Sequence, residues 1–277
     1  MQGRATPATC LLESTTTTRS ASQGSALFKP ALALSTSART LVAVATYNEI
    51  ENLPRLVDEI FRHAPDVEIL VIDDNSPDGS GRWCDERIAQ EPRLGCLHRA
   101  GKLGLGGATL AGFKYAIDRN YEFVLTMDAD FSHQPKHLPA LRAGVEPEGA
   151  EFDVMIGSRY VAGGGVEGWP LHRRLMSRAL NTYARWMLGL QVNDCSGAFR
   201  CYRVASLRTL DFDRFRSQGY SYLEEILWLL RRQRARCGET PITFVDRVHG
   251  QTKINMREAV FAVLLILRFG ARQWLGI

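Results

Sequence analysis

Asp128-Ala129-Asp130 sets two carboxylates one residue apart at the end of an apolar run, Phe123–Met127. On a strand running into a loop, such a pair can face one hard divalent cation. Mg²⁺ and Mn²⁺ prefer oxygen ligands of this kind and commonly bridge to substrate phosphates. The chemistry such an ion serves is neutralisation of a diphosphate leaving group. A D-x-D triplet is common by chance, so its weight comes from its surroundings. Two further polar clusters, Tyr47-Asn48-Glu49 and Asp73-Asp74-Asn75, each follow a short apolar run. A carboxylate that ends a buried strand costs stability unless something pairs with it. One such cluster reads most simply as a helix cap or a turn, whereas three read as a site. Gly101-Lys102-Leu103-Gly104-Leu105-Gly106-Gly107 adds a glycine-rich turn with a cation. It is neither a Walker A loop, lacking Ser or Thr after a Lys at its far end, nor a dinucleotide fingerprint, since it follows the third strand with the wrong spacing. A helix N-terminus with a nearby Lys still favours an anion. None of the six His stands out as a general base.

The elements that must hold these residues alternate between two periods. Leu41–Thr46 is a short apolar strand, and a helix follows with Pro54 near its start and Leu53, Leu56, Val57, Ile60 and Phe61 on one face. Val67–Ile72 reads as a strand, Asp74–Gly79 as a turn, and the next stretch as a helix to about Gln90. Leu94–His98 is a weaker strand, Leu105–Asp118 a helix, and Phe123–Met127 and Phe152–Ile156 are strands. Near-continuous apolar strands between helices predict an α/β fold, a mostly parallel sheet covered on both faces. In an open sheet of that kind the ligand crevice lies outside the carboxyl ends of the strands. The three acidic clusters all fall at that edge.

The composition is that of an ordinary globular protein, 45% hydrophobic and 23% charged. A net charge of only +4 lacks the dense basic stripe of a nucleic-acid partner, so none is expected. The six cysteines form no C-x-x-C pair, and no His sits at zinc-ligand spacing to them, so they read as reduced thiols in a cytosol. Residues 1–39 are rich in Ser, Thr and Ala and read as a disordered tail, a composition that also fits an organelle transit peptide. Residues 40–250 would form the catalytic domain and 251–277 a basic loop with an amphipathic C-terminal helix. The longest apolar run, Ala259–Leu267, falls short of the ~18 residues of a transmembrane helix. On a helix, Arg257, Arg268 and Arg272 gather on one side with Val260, Val263 and Leu264 opposite. That pattern suits a membrane interface with Trp274 as an anchor. It equally suits packing on this domain or on a small membrane subunit.

Ala45–Glu49, Asp73–Gly79, Gly101–Gly106, Asp128–Ser132, Gly157-Ser158-Arg159-Tyr160 and Gly163–Glu167 with Trp169-Pro170 together resemble the polyprenol-phosphate (dolichol-phosphate) mannosyltransferases, in the same order from about Thr40 to Lys253. The resemblance implies an inverting GT-A fold, Mg²⁺ or Mn²⁺ as cofactor, GDP-mannose as donor and a polyprenyl (dolichyl) phosphate in a membrane as acceptor. The chain would then sit peripherally on the cytoplasmic face. Tyr47, Glu49, Asp74 and Lys102 would line the guanosine pocket. Asp128 and Asp130 would hold the metal, with Ser132 where some relatives carry a Gln ligand. Arg159, Arg173 and Ser177 would grip the lipid's phosphate, Arg159 and Arg173 as catalytic cations beside the two aspartates. Arg247 and Lys253 match a basic loop that closes on the donor diphosphate; Thr252 stands where many relatives have Ser. A phosphate monoester is largely a dianion near neutrality and needs no strong base. In-line attack on the anomeric carbon with inversion is then expected, through an oxocarbenium-like transition state. Three rivals remain. A UDP-glucose-dependent polyprenyl-phosphate glycosyltransferase keeps the chemistry and changes the donor. A non-catalytic lipid-phosphate-binding protein would tolerate loss of the aspartates. A Rossmann oxidoreductase would need a fingerprint where Tyr47-Asn48-Glu49 stands.

Overall fold

The computed structural model describes residues 39–102, 104–146, 151–215, 217, 219, 221–246 and 256–275. In chain order the elements are β1 (Thr40–Thr46), α1 (Leu53–His63), β2 (Glu68–Asp73), α2 (Ser80–Ile88), β3 (Leu94–His98), α3 (Leu105–Asp118), β4 (Phe123–Asp128), α4 (Leu138–Ala143), β5 (Val154–Ser158) and β6 (Gly165–Glu167). They continue with α5 (Leu171–Leu188), β7 (Arg200–Arg203), α6 (Val204–Leu207), α7 (Tyr222–Arg232), β8 (Cys237–Pro241), β9 (Thr243–Val245) and α8 (Met256–Leu275). Seven strands form one sheet in the order β3-β2-β1-β4-β7-β5-β8, and β6 pairs with β9 separately.

The sheet's two faces arise from the period of two along each strand. In β1, Leu41 and Ala43 join Leu70, Ile72, Val124 and Ile156 beneath α3 and α7, while Val42 and Val44 join Ile69, Val71, Leu125 and Met127 beneath α1 and α4. α1 buries Leu53, Leu56, Val57 and Ile60 on one stripe and carries its Pro in the first turn, where a missing N–H costs nothing. α3 comes close to the sheet at Gly112. A Cβ there would stand 2.9 Å from Ile72 Cδ1 and 3.1 Å from Ala43 Cβ.

The pairing of β1 with β2 and β4 is parallel, as the alternation of strands and helices requires. β7 is not: it runs antiparallel between β4 and β5, a strand the apolar pattern did not announce. Arg39 is a second correction, since it belongs to the fold and not to a tail. Its guanidinium donates to Glu68 and to the carbonyl of Arg119, and it stacks 4.4 Å above the Tyr121 ring. Residues 1–38 and the basic loop, residues 247–255, lie outside the described residues.

α8 runs unbroken through Gly270. It buries Ala262, Leu265, Ile266 and Phe269, the last stacked on Trp228 of α7 with ring centroids 4.6 Å apart. Phe261, Val263, Leu264, Leu267 and Trp274 stay exposed. One side of the helix therefore packs on this domain while another apolar side faces outward. No described helix is long and apolar enough to cross a membrane.

Replacing Gly112 with Leu should force α3 off the sheet at a cost of about 1–3 kcal/mol. The check is a lower melting temperature in circular dichroism, with a change at an exposed position of the same helix, Lys114→Ala, leaving it near the wild-type value.

Candidate active site

Two registers bring the polar clusters to one place. Thr46 lies opposite Asp73 and Ala45 opposite Asp128, so β1, β2 and β4 end side by side. The order turns here: β2 and β3 lie on one side of β1 and β4 on the other, which opens a crevice between the loops. Those loops are stitched together. The N–H groups of Asn48, Glu49 and Ile50 donate to Ser76 Oγ, Ser80 Oγ and Asp78 Oδ2 at 3.0, 3.1 and 2.9 Å. Burial works against the charge of Asp78, yet the N–H groups of Ile50 and Ser80 outweigh it and hold the carboxyl below its usual range. Asn48 and Asn75 supply the left-handed turns this requires.

Several residues at the edge are held by close neighbours. Arg99 Nη1 donates to Asp74 Oδ1 at 2.6 Å, and Lys102 Nζ stands 4.6 Å over the Tyr47 ring. The backbone N–H of Asp128 donates to His133 Nδ1 at 3.0 Å, which makes that nitrogen the acceptor. His133 is buried, flat against Phe199 and edge-on to Phe244. Asp130 Oδ1 accepts from both the N–H and the hydroxyl of Ser132, at 3.0 and 2.6 Å. Between them Phe131 sits at φ 60°, a rare conformation for a bulky residue and one found where a loop is bent for function.

Tyr47, Glu49, Asp74, Lys102, Asp128 and Asp130 line a single open cleft, of about 870 Å³ counted out to solvent. A hard divalent cation suits the donors there: two carboxylates close in sequence, one of them oriented by a serine, with no thiol or imidazole among the described lining residues. Ser132, expected as a further metal ligand, is instead buried behind Asp130 with its hydroxyl proton directed at that carboxylate, which it orients.

Arg159, Arg173 and Ser177 gather elsewhere, and none is in the cleft lining. Arg159 is 7% exposed, and Asp194, fully buried, takes its Nε at 2.7 Å and one Nη at 2.6 Å. That Nη also reaches Ser196 Oγ at 2.9 Å. The expected phosphate clamp is thus a guanidinium already engaged by a carboxylate, which fixes its plane. Ser177 Oγ accepts from the Tyr160 hydroxyl at 2.6 Å, and Asn181 links the carbonyl of Ser177 to Ser196. Arg173, one helical turn before Ser177 on α5, is half-buried against Trp169 and contacts Asp246 at 3.1 Å. Arg247 and Lys253 fall outside the described residues.

A sequence model of glycosyl transferase family 2 matches residues 41–211. The chain is a family 2 glycosyltransferase. It is 41% identical to the undecaprenyl-phosphate mannosyltransferase of Micrococcus luteus over 240 residues, 86% of this chain and 97% of that one. It is 42% identical to the polyprenol monophosphomannose synthase of Mycolicibacterium smegmatis, over 81% of this chain and 85% of that one. Among solved structures it is similar to glucosyl-3-phosphoglycerate synthase of Mycobacterium tuberculosis with Mn²⁺, UDP and glucosyl-3-phosphoglycerate (TM-score 0.59, 18% identity, 87% of this chain and 81% of that one). It is also similar to a Pyrobaculum calidifontis mannosyltransferase with GDP-mannose and Mn²⁺ (TM-score 0.56, 14% identity, 88% and 66%). At such identities the likeness is one of fold, and that fold is GT-A.

The glycosyltransferase also has site residues that sequence reasoning passed over. Arg99, next after β3, holds Asp74, and Asp194, in a turn between α5 and β7, holds Arg159. Arg99 could have been flagged only as a charged residue next to a strand, and Asp194 carries no signal in the sequence. Glu224 of α7 joins the buried charges. Burial pushes its carboxyl up to about 7, Asp194 adds to the rise, and Arg200 and Arg159 oppose it. Burial likewise works against Asp194, but Arg159 outweighs it and keeps Asp194 below its ordinary value.

The folded chain therefore holds the Glu224 proton more tightly than the unfolded chain does. Its contribution to stability is complete below the ordinary value of 4.5 and is lost as pH rises through about 7. Glu224→Gln should remove that loss, which is on the order of 3 kcal/mol, flattening the stability profile between pH 5 and 8 measured by urea unfolding. Asp194→Ala should cost about 3–5 kcal/mol by stranding Arg159, seen in the same unfolding curves at pH 7.

Proposed function

We propose that this glycosyltransferase moves mannose from GDP-mannose to a polyprenyl (dolichyl) phosphate, with inversion, giving polyprenyl-phosphate mannose and GDP. What carries the reading is the single cleft that joins Tyr47, Glu49, Asp74 and Lys102 to Asp128 and Asp130, in a chain 41–42% identical to polyprenyl-phosphate mannose-forming relatives over most of its length. Asp74, fixed by Arg99, offers an acceptor to a ribose or base, and the Tyr47 ring offers it a flat wall beneath the Lys102 ammonium. Lys102, at the N-terminal end of α3, adds positive charge where the diphosphate would lie. A Mg²⁺ or Mn²⁺ ion held by Asp128 and Asp130 would supply the charge that stabilises the departing diphosphate. Ser132 keeps the Asp130 carboxylate turned for that role, and His133 pins the backbone of Asp128. The acceptor's phosphate is taken by Arg173 and Ser177, with Arg159, already planar against Asp194, forming the wall behind them.

On its lipid acceptor the protein sits peripherally, on the cytoplasmic face of a membrane. α5 exposes Leu171, Leu175, Met176 and Trp186 beside Arg174 and Arg178, and α8 exposes Phe261, Leu264, Leu267 and Trp274 beside Arg268. The two helices meet at the ring contact between Trp186 and Trp274, 6.0 Å apart. Apolar side chains with arginines at their margin suit an interface with anionic lipid, and a small membrane subunit is a further partner this face would accept.

Transfer of radiolabelled sugar to polyprenyl phosphate, from GDP-mannose and UDP-glucose in parallel, tests the chemistry. Lipid labelling from GDP-mannose that EDTA abolishes is expected, with Asp130→Ala at least about a hundredfold slower. Labelling from UDP-glucose alone would overturn the donor, and labelling that survives EDTA or Asp130→Ala would overturn the metal. For the membrane face, Leu264→Glu with Trp274→Glu should weaken sedimentation with anionic vesicles by on the order of tenfold or more. Equal binding by the double variant would remove α8 from the interface.

A further inference from the structure

On the side of the donor loops away from Asp128, α2 and β3 carry a cluster the transfer reaction does not use. Cys96 and His98 stand two residues apart on β3 and so share one face of it. α2 lays Asp85 over that face: His98 Nε2 is 2.9 Å from Asp85 Oδ1, and His98 Nδ1 is 3.9 Å from Cys96 Sγ. One ligand atom from each of Asp85, Cys96 and His98 lies within 4.8 Å of the others. Cys84 of α2, buried, lies beside Cys96. Asp73 Oδ2 is 3.9 Å from His98 Nδ1. Gly81 keeps the space between them open, since a Cβ there would fall 2.8 Å from Asp73 Oδ2 and 3.1 Å from His98 Cε1.

Residue spacing alone does not reveal this cluster. The cysteines have no His at the separations that mark zinc loops, and the third ligand arrives only when α2 folds onto β3. The donor set is a sulfur, an imidazole nitrogen and a carboxylate oxygen. That mixture selects against Mg²⁺ and Mn²⁺, which favour oxygen throughout, and for a borderline-soft ion that takes sulfur and nitrogen together. Asp85 and His98 are exposed enough to admit an ion from solvent, whereas Cys96 is half-buried.

We propose that Asp85, Cys96 and His98 form a second metal site, specific for Zn²⁺ or a similarly thiophilic divalent ion, with water completing the tetrahedron. The site is distinct from the oxygen-only pair at Asp128 and Asp130 and does not depend on which sugar or acceptor the enzyme uses. Its position has a structural consequence. Arg99, the next residue after His98, donates its N–H to the carbonyl of Asp73 at 2.8 Å and its guanidinium to Asp74. An ion on His98 therefore sits one residue from the partner of a cleft carboxylate.

The test uses the full chain, stripped of metal and kept reduced with a phosphine, titrated with Co²⁺ as an optical probe and then with Zn²⁺ in competition. One equivalent of Co²⁺ should give thiolate-to-cobalt charge-transfer absorption in the near ultraviolet, and Zn²⁺ should abolish it. Cys96→Ser should lose the band. His98→Ala and Asp85→Asn should each weaken Co²⁺ binding at least about tenfold, while Asp128→Asn leaves the band unchanged. Asp85 is exposed, so its variant keeps the test valid even where a β3 variant fails to fold. No band in the wild type, a band that survives Cys96→Ser, or affinity unaltered in both His98→Ala and Asp85→Asn would overturn the proposal.

Discussion

Three parallel strands that stop in register set the terms for everything at the cleft. With Thr46 beside Asp73 and Ala45 beside Asp128, the edge of the sheet collects the carboxylates of Glu49, Asp73, Asp74, Asp128 and Asp130. Like charges in a partly desolvated crevice repel, and the repulsion has to be met by donors or cations. The protein meets part of it itself, with Arg99 on Asp74, the N–H of Ser76 on Asp73 and Ser132 on Asp130. A divalent ion at this edge would add to these partners.

A second knot of charge lies deeper and has a different character. Arg159, Asp194, Arg200 and Glu224 are all buried. Arg200 donates to the carbonyls of Cys195 and Leu223 and to the Tyr202 hydroxyl, while Glu224 Oε2 accepts no hydrogen bond among the described residues. Such a cluster is a poor way to gain stability compared with apolar packing. What it provides is orientation: the plane of Arg159 is set by Asp194, whose own backbone N–H is held by Glu239 at 2.9 Å. Through Ser196 and Asn181 the same network reaches Ser177 on α5. Side chains held this rigidly would lose little entropy if an anion bound against them.

The fold's first half was legible because its apolar runs end abruptly at polar residues, and a buried strand leaves no other reading. α3 was placed residue for residue from Leu105 to Asp118, since Gly104 and Asn120 punctuate it. β7 was not, because an antiparallel insertion between β4 and β5 is decided by pairing partners distant in sequence. β6 and β9, three residues each, carry too little pattern to be seen. The cleft residues were legible for the same reason as the strands, because they stand at or just beyond the strand ends. Arg159 was singled out by the resemblance of its motif and not by any pattern of its own. Its partner Asp194 lies 35 residues away and obeys no periodicity, so the engagement of its guanidinium could not be foreseen.

α8 packs one apolar side inward and leaves Phe261, Val263, Leu264, Leu267 and Trp274 outward, next to an equally apolar ridge on α5. A ridge of that kind has no comfortable state in bulk water. Exposed apolar area of this kind favours burial against whatever amphiphile is at hand, detergent or lipid among them. Purified without either, the protein would carry a size distribution that reports this ridge.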